Sequence, residues 1–165
     1  MSAELIVTAH YNHCPDALFQ RASNFGDMIE ATRKISTYSG LPPVQMEEGK
    51  TYTTDVKVFG LLKSDGYRIM VNRLCPHIKL MESYEYGDSI DLWWHRLQIK
   101  PTETGSIWID HVVIDAGFKT PFISRYAKYM YQHRHKSRRG MDIAAVLRRS
   151  YRHVEATRPN FYPAE

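Results

Sequence analysis

Residues 93–115 read Trp93-Trp94-His95-Arg96-Leu97-Gln98-Ile99-Lys100-Pro101-Thr102-Glu103-Thr104-Gly105-Ser106-Ile107-Trp108-Ile109-Asp110-His111-Val112-Val113-Ile114-Asp115. On both sides of the interruption from Pro101 to Gly105, large apolar residues recur at alternate positions, the period of a β-strand. Two antiparallel strands joined by a turn follow. Pairing positions that sum to 205 sets Trp93 opposite Val112, His95 opposite Asp110, Leu97 opposite Trp108 and Ile99 opposite Ser106, all on one face. An opposed imidazole and carboxylate can aim a ring nitrogen at a bound carbonyl or hydroxyl. They can equally do no more than satisfy two half-buried polar groups.

The opposite face of this hairpin carries Leu92, Trp94, Ile107, Ile109 and Val113 beside Arg96, Gln98 and His111. That is too apolar for a face left wet. Either the segment Ile143 to Tyr151 covers it or a second copy of the chain does, which would make a homodimer.

Outward from the hairpin, the period of two persists. Gly49 to Phe59, Tyr67 to Leu74 after a Ser64-Asp65-Gly66 turn, Ile78 to Tyr86 and Ser89 to Lys100 read as strands, and Ser106 to Asp115 completes a meander. Near the start, Glu4 to Tyr11 alternates in the same way. Pro15 then opens a short helix ending at Gly26, a second short helix spans Asp27 to Ile35, and Ser39-Gly40-Leu41-Pro42-Pro43 breaks the chain. After Gly117 the period becomes helical, with Thr120 as N-cap, Pro121 at N1, and Phe122, Tyr126, Tyr129, Met130 and His133 as the inward stripe. Gly140 is a suitable stop, and a weaker helical segment covers Ile143 to Tyr151.

The 165 residues are 43% hydrophobic and 24% charged, enough for one domain with a core. Residues 1–117 carry a net charge of −4 and residues 118–165 one of +8. A helix with a solvated basic face accounts for that asymmetry, and no specific nucleic-acid partner is expected, because the tyrosines among the basic residues fall on the buried stripe. No transmembrane segment is expected, and MSAELIVTAH lacks the pattern of a secretory signal, so the expected location is cytoplasmic. Cys14 and Cys75 read as reduced thiols. His10 and His13 point to opposite sides of a strand, and His133 and His135 sit about 200° apart around a helix. Neither pair makes a metal site, and no metal or cofactor is expected. Phosphate-loop, dinucleotide and nucleophile-elbow motifs are absent from the sequence.

The run Trp93 to Pro101, then Gly105-Ser106 and Asp110-His111-Val112, with the ending Tyr131-Gln132-His133-Arg134-His135, resembles the START-like superfamily. This superfamily, also written SRPBCC, includes the birch-pollen-allergen-like proteins and the bacterial polyketide cyclase and lipid-transport families. Leu97 stands where relatives often have a second His, and Ser106 where Thr is usual. The resemblance implies an α+β helix-grip fold. In it a curved antiparallel sheet of about seven strands wraps a long C-terminal helix, with two short helices after the first strand. Residues 1–139 would form that domain and 140–165 a basic extension.

The resemblance makes the Trp93/His95/Asp110 face concave. Strand alternation then lines a cavity with Tyr52, Val56, Tyr84, Trp93, His95, Trp108 and Asp110, and the helix adds Phe122, Tyr126 and Met130. Thr54, Val58, Val71, Leu80, Glu82 and Tyr86 fall on the same expected face. Mostly apolar and aromatic with a few polar groups, this lining suits a hydrophobic or aromatic small molecule, such as a lipid, an isoprenoid or a polyketide-like compound. Two alternatives stay open. A cyclase, aromatase or dehydratase would use His95, assisted by Asp110, as general acid or base. A protein-interaction module would use the apolar outer face.

Overall fold

A computed structural model describes residues 1–88 and 90–156, with side chains through 142. The hairpin of residues 93–115 forms as β6 (Ile90–Thr102) and β7 (Gly105–Asp115). Its register differs from the expected one by two residues. Thr102 pairs with Gly105, so Leu97 faces Asp110 and His95 faces Val112. The strands run through Pro101 and leave only Glu103-Thr104 as the connection. Because the slip is even, every residue keeps its face. Gly105 is required here: its φ is +152°, and a Cβ would meet the Tyr11 carbonyl oxygen at 2.1 Å.

Around this hairpin the chain builds one seven-stranded antiparallel sheet. In order across the sheet these are β1 (Ser2–Tyr11), β7, β6, β5 (Leu80–Gly87), β4 (Leu62–Cys75), β3 (Thr51–Val58) and β2 (Ser36–Ser39). The short β2 lies between the expected second helix, ending at Ile35, and the breaker that begins at Ser39, and it supplies the seventh strand. Ser64-Asp65-Gly66 is not the β3–β4 turn. The chain reverses at Phe59-Gly60-Leu61, and the expected turn is a bulge where pairing jumps from Thr54–Tyr67 to Val56–Ser64. Asp55 Oδ1 accepts from the Gly66 amide at 2.9 Å and holds the bulge.

Two short helices follow β1, α1 (Pro15–Ala22) and α2 (Phe25–Thr32). Pro15 opens the first, as expected. Gly26 ends nothing: Asn24 caps α2 by accepting from the Gly26 and Asp27 amides, so Phe25 and Gly26 are its first turn. The long helix α3 (Thr120–Ala156) follows a single 3₁₀ turn, Gly117–Lys119. Thr120 is the first helical residue and not a cap in the extended region. Its hydroxyl accepts from the Ala116 amide and donates to the Gly117 carbonyl, stapling the 3₁₀ turn to the helix. Gly140 does not stop α3, whose backbone continues to Ala156. The segment 143–151 expected over the outer face is therefore backbone of α3, and its packing lies outside the described residues.

The concave face of the sheet holds two apolar clusters. One joins α1 and α2 to the sheet through Leu18, Phe19, Phe25 and Trp108. The other seats α3 on β1, β6 and β7 through Ala127, Met130 and Tyr131. The buried stripe of α3 is rotated from the expected one. Ala127, Met130, Tyr131, Arg134, His135 and Arg138 are inside, while Phe122 and Tyr129 are exposed. Spacings of three and four continue this stripe straight through two arginines.

The last described side chains of α3 still belong to the fold. Asp142 accepts from Arg21 Nη1 at 2.7 Å and pairs with His13 Nε2 at 3.0 Å. The helix backbone crosses 139/140 without a break, and we propose that residues 140–142 belong to the same domain as 1–139. Asp142→Ala, which breaks both half-exposed pairs, should cost about 1 kcal/mol. That corresponds to a melting midpoint lower by about 2–4 °C, and an unchanged midpoint would show that these ties carry no stability.

Candidate functional site

The concave interior divides into an open apolar end and a closed polar end. At the open end a cavity of about 890 Å³ lies between the sheet and the first three turns of α3. From the sheet, Val56 and Val58 of β3, Tyr67 and Ile69 of β4, Glu85 of β5 and Trp93 of β6 form its floor. Phe122, Ile123, Tyr126 and Met130 of α3 form its roof, with Met28 of α2 and Tyr38 of β2 at the back. Its mouth is marked by Phe118, 91% exposed, and Phe122, 71% exposed, opposite Phe59 and Leu62 of the β3–β4 connection. Lys63, Lys119 and Arg125 lie beside them.

Few polar groups interrupt this lining. Tyr67 Oη donates to Glu85 Oε2 at 2.8 Å, and the Ser83 hydroxyl reaches Glu85 Oε1 at 3.4 Å. Tyr126 Oη and Ser36 Oγ share a hydrogen bond of 2.9 Å. Burial pushes the Tyr126 phenol up to about 12. Burial, reinforced by the charge of Glu85, raises Tyr67 well above the usual phenol value. Both phenols are therefore neutral at pH 7, and Tyr67 serves as a donor to Glu85.

The closed end is organised by Asp110, 1% exposed. His95 Nε2 lies 2.7 Å from Asp110 Oδ1, Trp108 Nε1 donates to the same oxygen at 3.0 Å, and His135 Nε2 lies 2.9 Å from Oδ2. Burial by itself would raise this carboxyl. The hydrogen bonds from His135 and His95 outweigh it and hold Asp110 well below the ordinary carboxylate range. Burial lowers the pKa of His135 and pushes the Tyr11 phenol up to about 12. A neutral His135 then donates from Nε2 to Asp110 and accepts at Nδ1 from Tyr11 Oη, 2.8 Å away. The ring of His95 packs on Tyr131, centroid to centroid 5.1 Å.

Of the ten residues expected to line a cavity, Val56, Trp93, Phe122, Tyr126 and Met130 do so. The others are elsewhere. Tyr52 packs edge-on against Phe25 in the core and accepts from the Glu47 amide. Trp108, His95 and Asp110 belong to the closed polar end, where His95 borders only a small inner space of about 20 Å³. Tyr84 faces outward, paired with Trp94, because β5 presents Met81, Ser83 and Glu85 inward opposite Leu97, His95 and Trp93. Leu80, Glu82 and Tyr86 likewise share the outward phase of β5, Leu80 being nevertheless fully buried, and Thr54 and Val71 are buried as expected. Here the slip is odd, so the face reverses. The tyrosines of β5 imitate an apolar inward row, while two of the three residues of the true inward row, Ser83 and Glu85, are polar.

Sequence reasoning missed Glu85, Tyr67 and the buried cations. Arg134 and Arg138, read as solvated, are 6% and 1% exposed. Their positions three and seven after Tyr131, on the buried stripe, are the signal that could have placed them inside. Arg138 stacks over Trp108 at 4.4 Å and donates to Asp27, which also accepts from Arg21. On the outer face Leu92, Trp94, Ile107, Ile109 and Val113 are half-buried, and Trp94 meets His111 edge-on at 5.2 Å. Among the described residues no group of His, Cys, Asp and Glu is arranged to hold a metal ion. No described helix is long and apolar enough to cross a membrane.

No family model matches the chain, and no curated protein matches it. Solved structures do. Ara h 8.0201 aligns with a TM-score of 0.65 at 11% identity, over 87% of this chain and 99% of its own. Protein CV1439 from Chromobacterium violaceum aligns at 0.64 and 10% identity, over 81% and 93%. TTHA0849 from Thermus thermophilus aligns at 0.65 and 8% identity, over 87% and 99%. The likeness establishes the fold, the helix-grip fold of the START-like and birch-pollen-allergen-like proteins.

The Asp110 network ties stability to pH with a definite sign. The depressed carboxyl contributes fully above its unfolded value of about 4 and is lost as pH falls through the lower folded value. The depressed His135 contributes fully above about 6.5, and below that the unfolded chain takes up the proton first. Urea unfolding from pH 7 to 3 should therefore show stability declining in two acid steps. Asp110→Asn should remove about 3 kcal/mol at pH 7 and abolish the lower step. Equal stability of the two proteins at pH 7 would refute the role assigned to Asp110.

Proposed function

We propose that this protein binds a hydrophobic or aromatic small molecule, of lipid, isoprenoid or polyketide-like character, between the sheet and the N-terminal half of α3. The observation that carries the reading is the cavity of about 890 Å³, lined by aliphatic and aromatic side chains and open at one end. Spaces of this size and lining are those that hold small ligands. The fold is also known for binding hydrophobic ligands. A filled core would leave the sheet and α3 in direct contact there, as they are around Ala127 and Val112.

The neutral fluorophore N-phenyl-1-naphthylamine should bind saturably at one site. Val56→Trp, which places an indole on the cavity floor, should weaken it at least tenfold while the melting curve stays cooperative. Unchanged affinity in that variant would move the ligand elsewhere. Native mass spectrometry of freshly purified protein should reveal the co-purified occupant.

A second reading, general acid–base chemistry by His95 of the cyclase, aromatase or dehydratase kind, is carried by one contact. His95 borders the small space adjoining the cavity. The protein would then catalyse exchange of the α-protons of an enolisable aryl ketone in D₂O, measured by NMR. His95→Gln would abolish the exchange and leave fluorophore binding intact; a wild-type rate equal to that of buffer rejects the reading.

A further inference from the structure

Arg134 is 6% exposed, yet among the described residues its guanidinium makes no hydrogen bond and no ion pair. Its Nε is sealed from solvent without a partner, and the group that faces it is the ring of Tyr131, 5.1 Å away. A buried guanidinium with a free donor is costly, and such groups are ordinarily paired. Arg134 forms one wall of the space of about 20 Å³, together with Met28, Ile69, Ser83, Glu85 and His95. Met28, Ile69 and Glu85 are also walls of the large cavity, so the small space adjoins the inner end of the large one.

We propose that this inner end recognises one uncharged acceptor oxygen, a carbonyl at the buried tip of an otherwise apolar ligand. The inference rests on the cavity-binding reading and narrows its ligand class. Three features select the chemistry. The volume admits about one water-sized group, which is a single oxygen and not a carboxylate or a phosphate. Glu85 borders the space and opposes an anion, while Arg134 opposes a cation. The oxygens of Glu85 already accept from Tyr67 and Ser83, whereas Arg134 Nε–H has nothing to donate to. The site therefore lacks an acceptor and not a donor. A ketone, aldehyde or ester carbonyl supplies one without adding charge.

Equilibrium dialysis of the full chain against 2-ethylnaphthalene, 2-acetylnaphthalene and 2-naphthoic acid tests this, since the three share one skeleton. Arg134→Met should weaken the ketone about tenfold and leave the hydrocarbon within twofold. Glu85→Gln should strengthen the acid at least fivefold and leave the hydrocarbon unchanged. Equal responses of ketone and hydrocarbon to Arg134→Met overturn the proposal. Should that variant not fold, the carbonyl stretch of the ¹³C-labelled ketone bound to the wild-type protein decides. A stretch shifted to lower frequency than in hexane supports a donated hydrogen bond, and a hexane-like frequency overturns it. If the wild-type protein binds none of the three, the cavity-binding reading fails and the carbonyl inference with it. Binding of the hydrocarbon without discrimination by Arg134 defeats the carbonyl inference alone.

Discussion

A carboxylate with 1% of its surface exposed has to find donors inside the protein, and Asp110 finds them on three elements. His95 comes from β6, Trp108 from its own strand β7, and His135 from α3. The first two lie within the hairpin and need nothing beyond its alternation. The third is 25 residues away on the long helix, and it is what sets the height and rotation of that helix over the sheet. The apolar packing of Ala127, Met130 and Tyr131 is less directional than a hydrogen bond. A hydrogen bond to a buried charge has no comparable second position, and a helix displaced by one turn would leave Asp110 unpaired. Tyr11, from β1, completes the arrangement by setting the tautomer of His135.

With α3 fixed at its middle, the concave surface is divided. Toward the C-terminal side the helix carries Arg134, His135 and Arg138 and meets a polar interior. Arg138 lies between the Trp108 ring and Asp27, and Arg21 links Asp27 to Asp142. Toward the N-terminal side it carries Ile123, Tyr126 and Met130, whose contacts with the sheet, the Tyr126–Ser36 hydrogen bond among them, leave the cavity between. Closure at one end and openness at the other are thus two results of one docking position. The basic end of the sequence takes on a different meaning in this light. Two of its eleven cations are interior parts of the grip, and a solvated-face account of the charge does not cover them.

The extent to which this was legible in the sequence follows from the parity of each error. The alternation of residues 93–115 identified the hairpin, its concave face and the His95–Asp110 partnership. The observed register is shifted from the expected one by two, an even number, which left each of those conclusions standing. Ile78 to Tyr86 fared worse. Its inward residues are Met81, Ser83 and Glu85, and its outward ones include Tyr84 and Tyr86. Where the interior is polar, hydrophobicity no longer marks the inward phase, and an odd slip turns the strand over. The same cause hid Arg134 and Arg138. Charged residues on a stripe are read as its edge, because burial of a guanidinium is expected only with partners, and those partners, Asp27 and the Trp108 ring, are distant in sequence. Five of the ten expected residues line the cavity, found because they are apolar or aromatic; the polar Glu85 and Arg134 were not found.

Arg134 lies where the two halves meet, and its surroundings differ from those of Arg138. Both are interior, three and seven positions after Tyr131, and both carry the same kind of desolvation penalty. Arg138 offsets it with the Asp27 carboxylate and a stacked indole. Arg134 has the Tyr131 ring and the distant charges of Glu85 and Asp110, none of them within hydrogen-bond reach. A residue needed only for stability would be replaced at little cost by an apolar side chain of similar length, since burying a charge without a partner never adds stability by itself. Its presence beside a space one oxygen wide, at the end of an apolar cavity, is accounted for if the missing partner arrives with the ligand. The cavity then has polarity along its length. An apolar body lies against β3, β4 and the first turns of α3, and one oxygen reaches the edge of the Asp110 network. The interaction that positions the helix would in that way also set the direction in which a ligand lies.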